Sequence, residues 1–490
     1  MISVHDDLRS LAFGSLSGFR DEFHRCLVMR SDALFELTDA VLCAGGPVGS
    51  LVELSLVPEH RRGHGALYDA VNAGRVEFGR LRNLVALQEI PRCDTGEGQR
   101  RMVLAVDVSA WPRPEAVTSA DRLLCHTGKR GQAQVTPGWP YSFVAALEQG
   151  RSSWCAPLDA RRLGPADNVT EVTAAQVRDV ATALIAAGAW TQGDPEIWLV
   201  ADSGYEGPRL AYLLRDLPIQ VIVRLRSDRV MYFPAPQQRD GQPNGRPMRH
   251  GRKFTCKLSA KQASTLPEPD HITATGTGNY GQVIAAAWDR LHPMLVRRDS
   301  WSDHPPGDLP ILEGTIIQVS VDRLPGDRHP GPMWLWYSAT GPTSTLMDRI
   351  WQLYLRRFDL EHTFRFLKQT LGWTRPRLRH PDAADRWTWL LIAAYTQLRL
   401  TRALATDLRR PWEKPSHRPD RPDRLSPTRV RRGFRYLRPK TTLPASAPKP
   451  NRPGPGRPPG TPNTRRAPRH TPGKNHKTDN VIKCPQGQTG

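Results

Sequence analysis

The amino-acid sequence predicts an α/β fold built around a partly parallel β-sheet. Three apolar runs indicate its strands: residues 102–107 (MVLAVD), 196–202 (EIWLVAD) and 219–225 (IQVIVRL). Helical stretches lie between the later runs, and continuous apolar strands that alternate with helices are typical of parallel sheets. The first two runs end in Asp107 and Asp202. Acids at the carboxyl ends of such strands lie at the edge where α/β folds place ligands.

The length of the chain and changes in its pattern divide it into four regions. Its 490 residues suffice for several domains at ~150 residues each. The predicted regions are a helical N-terminal domain (1–95), the α/β domain (96–225 and 344–410), a β-rich insertion within it (226–343) and a basic Pro-rich tail (411–490).

The first and third regions are assigned from the spacing of their apolar residues. Between residues 8 and 42, leucine and phenylalanine recur at helical spacing, which favours a small helical domain. We expect this domain to bind DNA, with a purely structural helical cap as the alternative. Residues 226–343 hold short strand-like runs separated by Gly, Pro and Asp turns. Their tryptophans are predicted to lie in the core: Trp288, Trp301, Trp334 and Trp336.

The tail concentrates the positive charge of the chain. It holds 19 Lys and Arg against four acids, a net charge of +15 out of +21 for the whole chain, and 17 of the 45 prolines. The tail also has few large apolar residues, and their burial cannot offset the loss of chain entropy on folding. We therefore expect a mostly disordered tail with one short helix around residues 425–436. Within it, Arg457 lies in a Gly-Arg-Pro core that resembles an AT-hook, a minor-groove binding segment. A basic linker is the alternative.

The amino-acid composition indicates the cellular compartment of the protein and the kind of partner that it binds. The excess of cations favours a polyanionic partner, most often nucleic acid, although a solvated basic surface would have the same charge. No run approaches the ~18 apolar residues that cross a bilayer, so no membrane association is expected. The seven cysteines form no C-x2-C pair, which disfavours a disulfide framework or a Cys-ligated zinc site and indicates a cytoplasmic protein.

A polar row is expected on a helix that begins near Ser344 and continues to residue 371. At ~100° per residue, Tyr354, Arg357, Glu361 and Lys368 lie within a ~60° arc, next to an apolar stripe that would face the core. A merely solvated helix face would not favour the alignment of one carboxylate with two cations and a phenol. A structural row of salt bridges is the alternative.

The spacing Tyr354-x2-Arg357-x3-Glu361-x6-Lys368 resembles the signature around the last catalytic acid of bacterial DDE insertion-sequence transposases. The blocks VLAVDVSAW and WLVADSGYEG resemble the regions of the first and second catalytic aspartates in that family. The resemblance covers roughly residues 95–410 and implies an RNase H-like catalytic domain. Other acids have no matching block that selects them, namely Asp121, Asp159, Asp194 and Glu206.

The resemblance implies a function as well. Asp107, Asp202 and Glu361 would be the catalytic residues and would bind two Mg²⁺ ions, with Mn²⁺ as an alternative, because carboxylates suit such cations. Tyr354, Arg357 and Lys368 would contact the transposon end. The protein would cut double-stranded DNA at terminal inverted repeats and join the 3′-OH to target DNA. The alternatives are an RNase H-like nuclease without strand transfer and a domesticated, non-catalytic DNA-binding protein.

The implied partners and location follow from that function. The DNA partners are the terminal repeats and the target, and a homodimer is expected in the DNA complex. The protein would lie in the cytoplasm, associated with the nucleoid.

Overall fold

The computed structural model describes residues 2–96, 98–126, 134–150, 152–236, 248–256, 266–324, 330–413, 425–449, 466–473 and 482–483. The α-helices are α1 Ile2–Arg25, α2 Ser31–Cys43, α3 Leu51–Leu54, α4 His64–Ala73, α5 Phe78–Ala86, α6 Val169–Ala186, α7 Gly207–Leu213, α8 Ser344–Leu355, α9 Phe358–Gln369, α10 Pro381–Leu400 and α11 Pro427–Leu437. The strands are β1 Leu27–Met29, β2 Arg75–Val76, β3 Cys93–Gly96, β4 Gln99–Arg101, β5 Val103–Pro112, β6 Leu123–His126, β7 Val135–Leu147, β8 Cys155–Arg162, β9 Ile197–Ala201, β10 Ile219–Leu225, β11 Val230–Pro234, β12 His250–Thr255, β13 His271–Thr277, β14 Gly281–Leu291, β15 Gly314–Val321, β16 Met333–Tyr337 and β17 Ile482–Lys483.

One large mixed sheet forms the centre of the molecule. Its order is β13-β14-β15-β16-β10-β9-β5-β7-β6-β17, and β8 also pairs with β7. The three apolar runs predicted from the sequence lie side by side as β5, β9 and β10, and both of their pairings are parallel. The prediction of an α/β fold with a partly parallel sheet is therefore confirmed.

The predicted β-rich insertion is continuous with this sheet rather than a separate body. Strand β16 pairs antiparallel with β10, and β15, β14 and β13 then extend the sheet outward. Only β11 and β12 form a sheet of their own among the described strands of this region. The four tryptophans predicted for the core are buried.

The helices of the first region pack against α10, which carries the apolar segment WTWLLIAAY. Helices α1, α2, α4 and α5 all contact it, and their buried side chains belong to the same hydrophobic core as the sheet. The stretch around residues 66–87 forms two helices, because the chain leaves α4 at Gly74 to pair β2 with β1. A Cβ at Gly74 would lie 2.3 Å from the carbonyl oxygen of Ala70.

A buried ionic network joins the N-terminal helices to α10 and to the chain after α11. Arg20 donates to both carboxylate oxygens of Asp39, at 2.7 and 2.9 Å, and to the side-chain oxygen of Gln397 at 2.7 Å. Arg438 donates to the same Asp39 carboxylate at 3.1 Å. Asp39 thus compensates two cations, one of which has no exposed surface.

Asp39→Ala should lower the free energy of unfolding by ~3–5 kcal/mol, because it leaves the Arg20 guanidinium buried without its counter-ion. The control is Asp216→Ala, which removes an exposed ion pair with Arg178 and should cost ~0–1 kcal/mol. Denaturant unfolding monitored by circular dichroism measures both losses. Equal losses in the two variants would refute the structural role of the network.

The predicted short helix in the tail is present as α11. It buries Val430, Arg431 and Phe434 against α2 and α10. Arg457 and most of the AT-hook-like segment lie outside the described residues. Where the tail is described beyond α11, it contacts the fold: Arg61 donates to the Ala445 carbonyl at 3.0 Å and Arg122 to the His470 carbonyl at 2.7 Å. The prediction of a mostly disordered tail does not hold for these stretches and stays a prediction for the rest. Within the described part of the chain, no helix combines the length and the apolar character needed to cross a membrane.

Candidate active site

The register of the central strands places Asp107 and Asp202 side by side. Val103 of β5 pairs with Trp198 of β9, and Ala105 pairs with Val200. Two residues further on, Asp107 is level with Asp202, the first residue after β9 ends. The adjacency follows from the parallel pairing, because equal steps along two parallel strands stay opposite each other.

Asp107 lies in the middle of its strand, not at the carboxyl end as the sequence suggests. β5 runs on to Pro112 because, beyond the end of β9, it stays paired with the long strand β7, where Asp107 faces Phe143. The small and β-branched residues that follow Asp107 continue the extended strand. Asp107 is consequently only 1% exposed, whereas the Asp202 side chain is 25% exposed.

The expected single helix over residues 344–371 is also interrupted. α8 ends at Leu355 and α9 begins at Phe358. Between them the hydrogen bonds tighten to the i→i−3 pattern: the Arg357 N–H donates to the Tyr354 carbonyl, and the Leu360 N–H to the Arg357 carbonyl. A uniform helical wheel therefore does not hold across this junction.

The junction inserts Arg357 among the three acids. Its Nη1 donates to Oδ2 of Asp107 at 2.7 Å, and its Nη2 lies 4.0 Å from Oδ2 of Asp202 and 4.0 Å from Oε1 of Glu361. The second oxygen of Asp107 accepts the N–H of Val108 at 2.7 Å. The structure thus brings together the three predicted acids around one guanidinium.

Burial and repulsion between carboxylates raise the pKa values of Asp107 and Glu361. Burial raises the pKa of Asp107 to about 7; the nearby Arg357 opposes this rise and Asp202 adds to it. Burial likewise raises the pKa of Glu361, with Arg357 opposing. Carboxylates held close together in a desolvated site with perturbed pKa values are typical of catalytic and cation-binding centres.

The other residues of the predicted polar row separate in the structure. Tyr354 is buried, and its burial raises the pKa of the phenol to about 12, with the Arg357 charge opposing. Lys368 lies two turns beyond Glu361 on α9, with its ammonium 5.6 Å from the centroid of the Trp373 ring. Tyr354 and Arg357 therefore belong to the interior of the site, and Lys368 to the far end of α9.

Tyr205 belongs to the same site but was not selected from the sequence. It follows Asp202 in a turn closed by its own N–H and the Asp202 carbonyl, 3.1 Å apart. Burial raises the pKa of its phenol, and the Asp107 charge raises it further. Its hydroxyl lies near Ser142 and Thr173. The only sequence signal was its position within the block WLVADSGYEG.

The four acids that no matching sequence block selects as catalytic contact residues other than Arg357. Asp159 pairs with Arg82, Asp194 with Arg92 and Asp121 with Arg162, while Glu206 accepts the indole N–H of Trp301. These contacts account for the four carboxylates without a catalytic role.

The carboxylate oxygens of the site are of the chemical type that binds hard divalent cations. Two aspartates and a glutamate supply oxygen ligands, as Mg²⁺ sites require. The single positive charge of Arg357 lies 2.7 Å from Asp107 and 4.0 Å from both Asp202 and Glu361, so it compensates only part of their negative charge. As placed, no cluster of three or more His, Cys, Asp or Glu in the described ranges could hold a metal ion.

Comparison with known families gives the class of the protein. The family model of the DDE superfamily endonucleases matches residues 22–294. This range is more than half of the chain, so the chain belongs to the DDE superfamily of endonucleases. The match includes Asp107 and Asp202 and ends before the Tyr354–Lys368 segment. No curated protein shows significant sequence similarity to the chain.

Proposed function

We propose that the chain is a DDE transposase that cuts DNA at transposon ends and joins the free 3′-OH to target DNA. The observation that carries the proposal is the convergence of Asp107 in β5, Asp202 just after β9 and Glu361 in α9 on the single guanidinium of Arg357. Membership of the endonuclease superfamily supports DNA as the substrate.

In this proposal the three acids would hold two Mg²⁺ ions. When bound, such ions would supply activation of the attacking oxygen and stabilisation of the leaving oxygen in an in-line displacement. Asp107 holds its carboxylate within strand β5, Asp202 follows directly after β9, and Glu361 approaches from α9. Burial excludes water from Asp107 and strengthens its interaction with any cation.

The cationic and phenolic side chains would position the DNA. Arg357 hydrogen-bonds Asp107 and is the group that a phosphate could draw away from the acids, because its charge is matched by either anion. Lys368 would contact a phosphate at the far end of α9. Tyr354, packed beside Arg357, would limit the positions that its guanidinium can take.

The proposal is tested with a supercoiled plasmid that carries the DNA flanking the gene on both sides, in which the proposal requires terminal inverted repeats. Wild-type protein with Mg²⁺ should cut at the repeats and yield joined products. Glu361→Gln should yield neither, because it loses an anionic ligand at constant volume. The matched control, Glu313→Gln, changes a half-buried glutamate that pairs with the exposed Arg290 outside the site, and it should retain both activities.

Other outcomes of the same assay identify the alternatives. Cleavage without joined product would indicate a nuclease that lacks strand transfer. DNA binding without cleavage would indicate a domesticated binding protein. Gel-shift experiments at the repeats, combined with light scattering, measure whether the DNA complex contains a homodimer.

Deleting residues 450–490 should weaken non-specific DNA binding. This segment contains Arg457 and carries eight Lys and Arg against one Asp, a net charge of +7. Removing one cation that touches a phosphate should reduce the salt slope of duplex binding by about 0.9. The deletion keeps α11, which a cut at residue 411 would remove together with its packing on α2 and α10. An unchanged salt slope would show that the segment does not touch DNA.

A further inference from the structure

A cavity of about 380 Å³ lies on the side of the molecule where α11 meets the end of α2. Its wall includes the loop after Cys43, the segment around Leu408 and one face of α11. Its lining contains no aspartate or glutamate. It contains four arginines, namely Arg410, Arg431, Arg432 and Arg435. We call this cavity the arginine pocket.

Arg431 is the buried member of the arginine pocket, with 6% of its surface exposed. Its Nε donates to the Val41 carbonyl and its Nη1 to the Gly46 carbonyl, both at 2.9 Å. Its Nη2 is buried and has no hydrogen-bond partner among the described residues. Burial lowers its pKa to about 10, so the guanidinium remains charged at neutral pH.

A buried cation that faces no carboxylate is costly unless an anion binds it. In the described part of the chain, Arg431 forms no ion pair with an acid, unlike Arg432, which pairs with Glu413 at 2.7 Å. The two carbonyl contacts fix the Arg431 guanidinium without neutralising its charge. The arginine pocket therefore presents a pre-oriented donor for an external anion.

Exposed aromatic rings flank the arginine pocket. Tyr436 lines it and is 63% exposed, and the Arg435 guanidinium lies 5.9 Å from its ring centroid. Trp412 is 74% exposed, and the Arg410 guanidinium lies 5.5 Å from its ring centroid. Large exposed rings next to a cationic cavity are the combination with which proteins bind unpaired bases and the phosphates between them.

We propose that the arginine pocket binds a phosphodiester of single-stranded DNA, with adjacent bases stacked on Tyr436 and Trp412. Paired bases in a duplex do not offer their faces for stacking, whereas unpaired bases do. Thr370, which lines the pocket, follows α9 and lies about 14 Å along the helix direction from Glu361. This inference rests on the proposed function, because it requires that the DNA strands are separated beside the active site.

The test measures binding by fluorescence anisotropy without Mg²⁺ in an Asp107→Asn background, so that it is independent of cleavage. The probes are a labelled single strand of about 20 nucleotides, long enough to cover a site of ~4–16 nucleotides, and the matching duplex. The pocket variant combines Arg410→Ala with Arg435→Ala. The control combines Arg429→Ala with Arg290→Ala, which removes the same charge from ion pairs outside the pocket.

The pocket variant should bind the single strand at least tenfold more weakly, with a salt slope reduced by about 1.4 for two phosphate contacts. The control should stay within about twofold of the starting protein. Tyr436→Leu should weaken binding of the single strand at least fivefold without changing the slope, since removal of a base stack costs ~1–3 kcal/mol. Melting temperatures establish that each variant is folded.

Three results would overturn the proposal. An equal loss of affinity for the single strand in the pocket variant and in the control would show a general effect of charge. Equal losses for single strand and duplex would identify a site for duplex phosphates. Stabilisation by inorganic phosphate at constant ionic strength, with unchanged binding of the single strand in the pocket variant, would identify a site for free phosphate. Failure of the transposase proposal would appear instead as cleavage by Asp107→Asn protein.

Discussion

Replacing Asp107 with asparagine should abolish DNA cleavage while DNA binding stays within about twofold of wild type. Asparagine keeps the volume at this fully buried position and removes the anionic oxygen that faces Arg357 at 2.7 Å. The expected loss is at least ~10²–10³-fold, the size associated with removing one electrostatic catalytic group. Asp202→Asn should behave in the same way. A plasmid-nicking assay in Mg²⁺ and a gel shift measure the two properties.

A surface aspartate provides the matched control. Asp194→Asn removes a carboxylate that pairs with Arg92 outside the site, and it should cut at the wild-type rate. Melting temperatures separate loss of chemistry from loss of fold. Cleavage by Asp107→Asn at near the wild-type rate would rule out the assignment of this residue.

Replacing Arg357 with methionine should lower the free energy of unfolding by ~3–5 kcal/mol in the absence of metal, because three carboxylates lose their shared cation. Methionine keeps much of the length and none of the charge. Mg²⁺ should then raise the melting temperature of the variant more than that of the wild type, since ligands that bind the folded state stabilise it. Differential scanning fluorimetry measures the two shifts.

A double-mutant cycle makes the Arg357 prediction specific to its contact. Asp107→Asn combined with Arg357→Met should cost less than the sum of the single losses, because the two groups compensate each other. The control is Arg349→Met on α8, because Arg349 pairs with Asp94 at the surface. This variant should lower the free energy of unfolding by only ~0–1 kcal/mol. Additive losses for Asp107 and Arg357 would contradict a shared electrostatic site.

The sequence predicted the parts of the site that depend on local pattern. The apolar runs before Asp107 and Asp202 are long enough to define buried strands, and parallel pairing of two such strands brings their acids together. The apolar residues beside Glu361, such as Leu360 and Phe364, correctly indicated the buried face of the helix.

Other features depend on tertiary contacts that a local pattern does not contain. The break near Arg357 coincides with its hydrogen bond to Asp107, 250 residues earlier in the chain, a contact that no local stretch of sequence contains. The extension of the central sheet by β16 requires pairing with β10 across more than one hundred residues. The arginine pocket combines segments from three distant parts of the chain, so no single stretch of sequence indicates it.

The position of α11 has a consequence for the order in which the protein folds. Arg431 of α11 donates to the carbonyl of Val41, 390 residues earlier, and Phe434 belongs to the same core as the N-terminal helices. A ribosome must therefore translate almost the whole chain before the surface of α2 can be covered. Contacts of such long sequence separation form slowly, and the exposed apolar surface invites aggregation in the meantime. Chaperone demand during synthesis should accordingly fall only after α11 emerges.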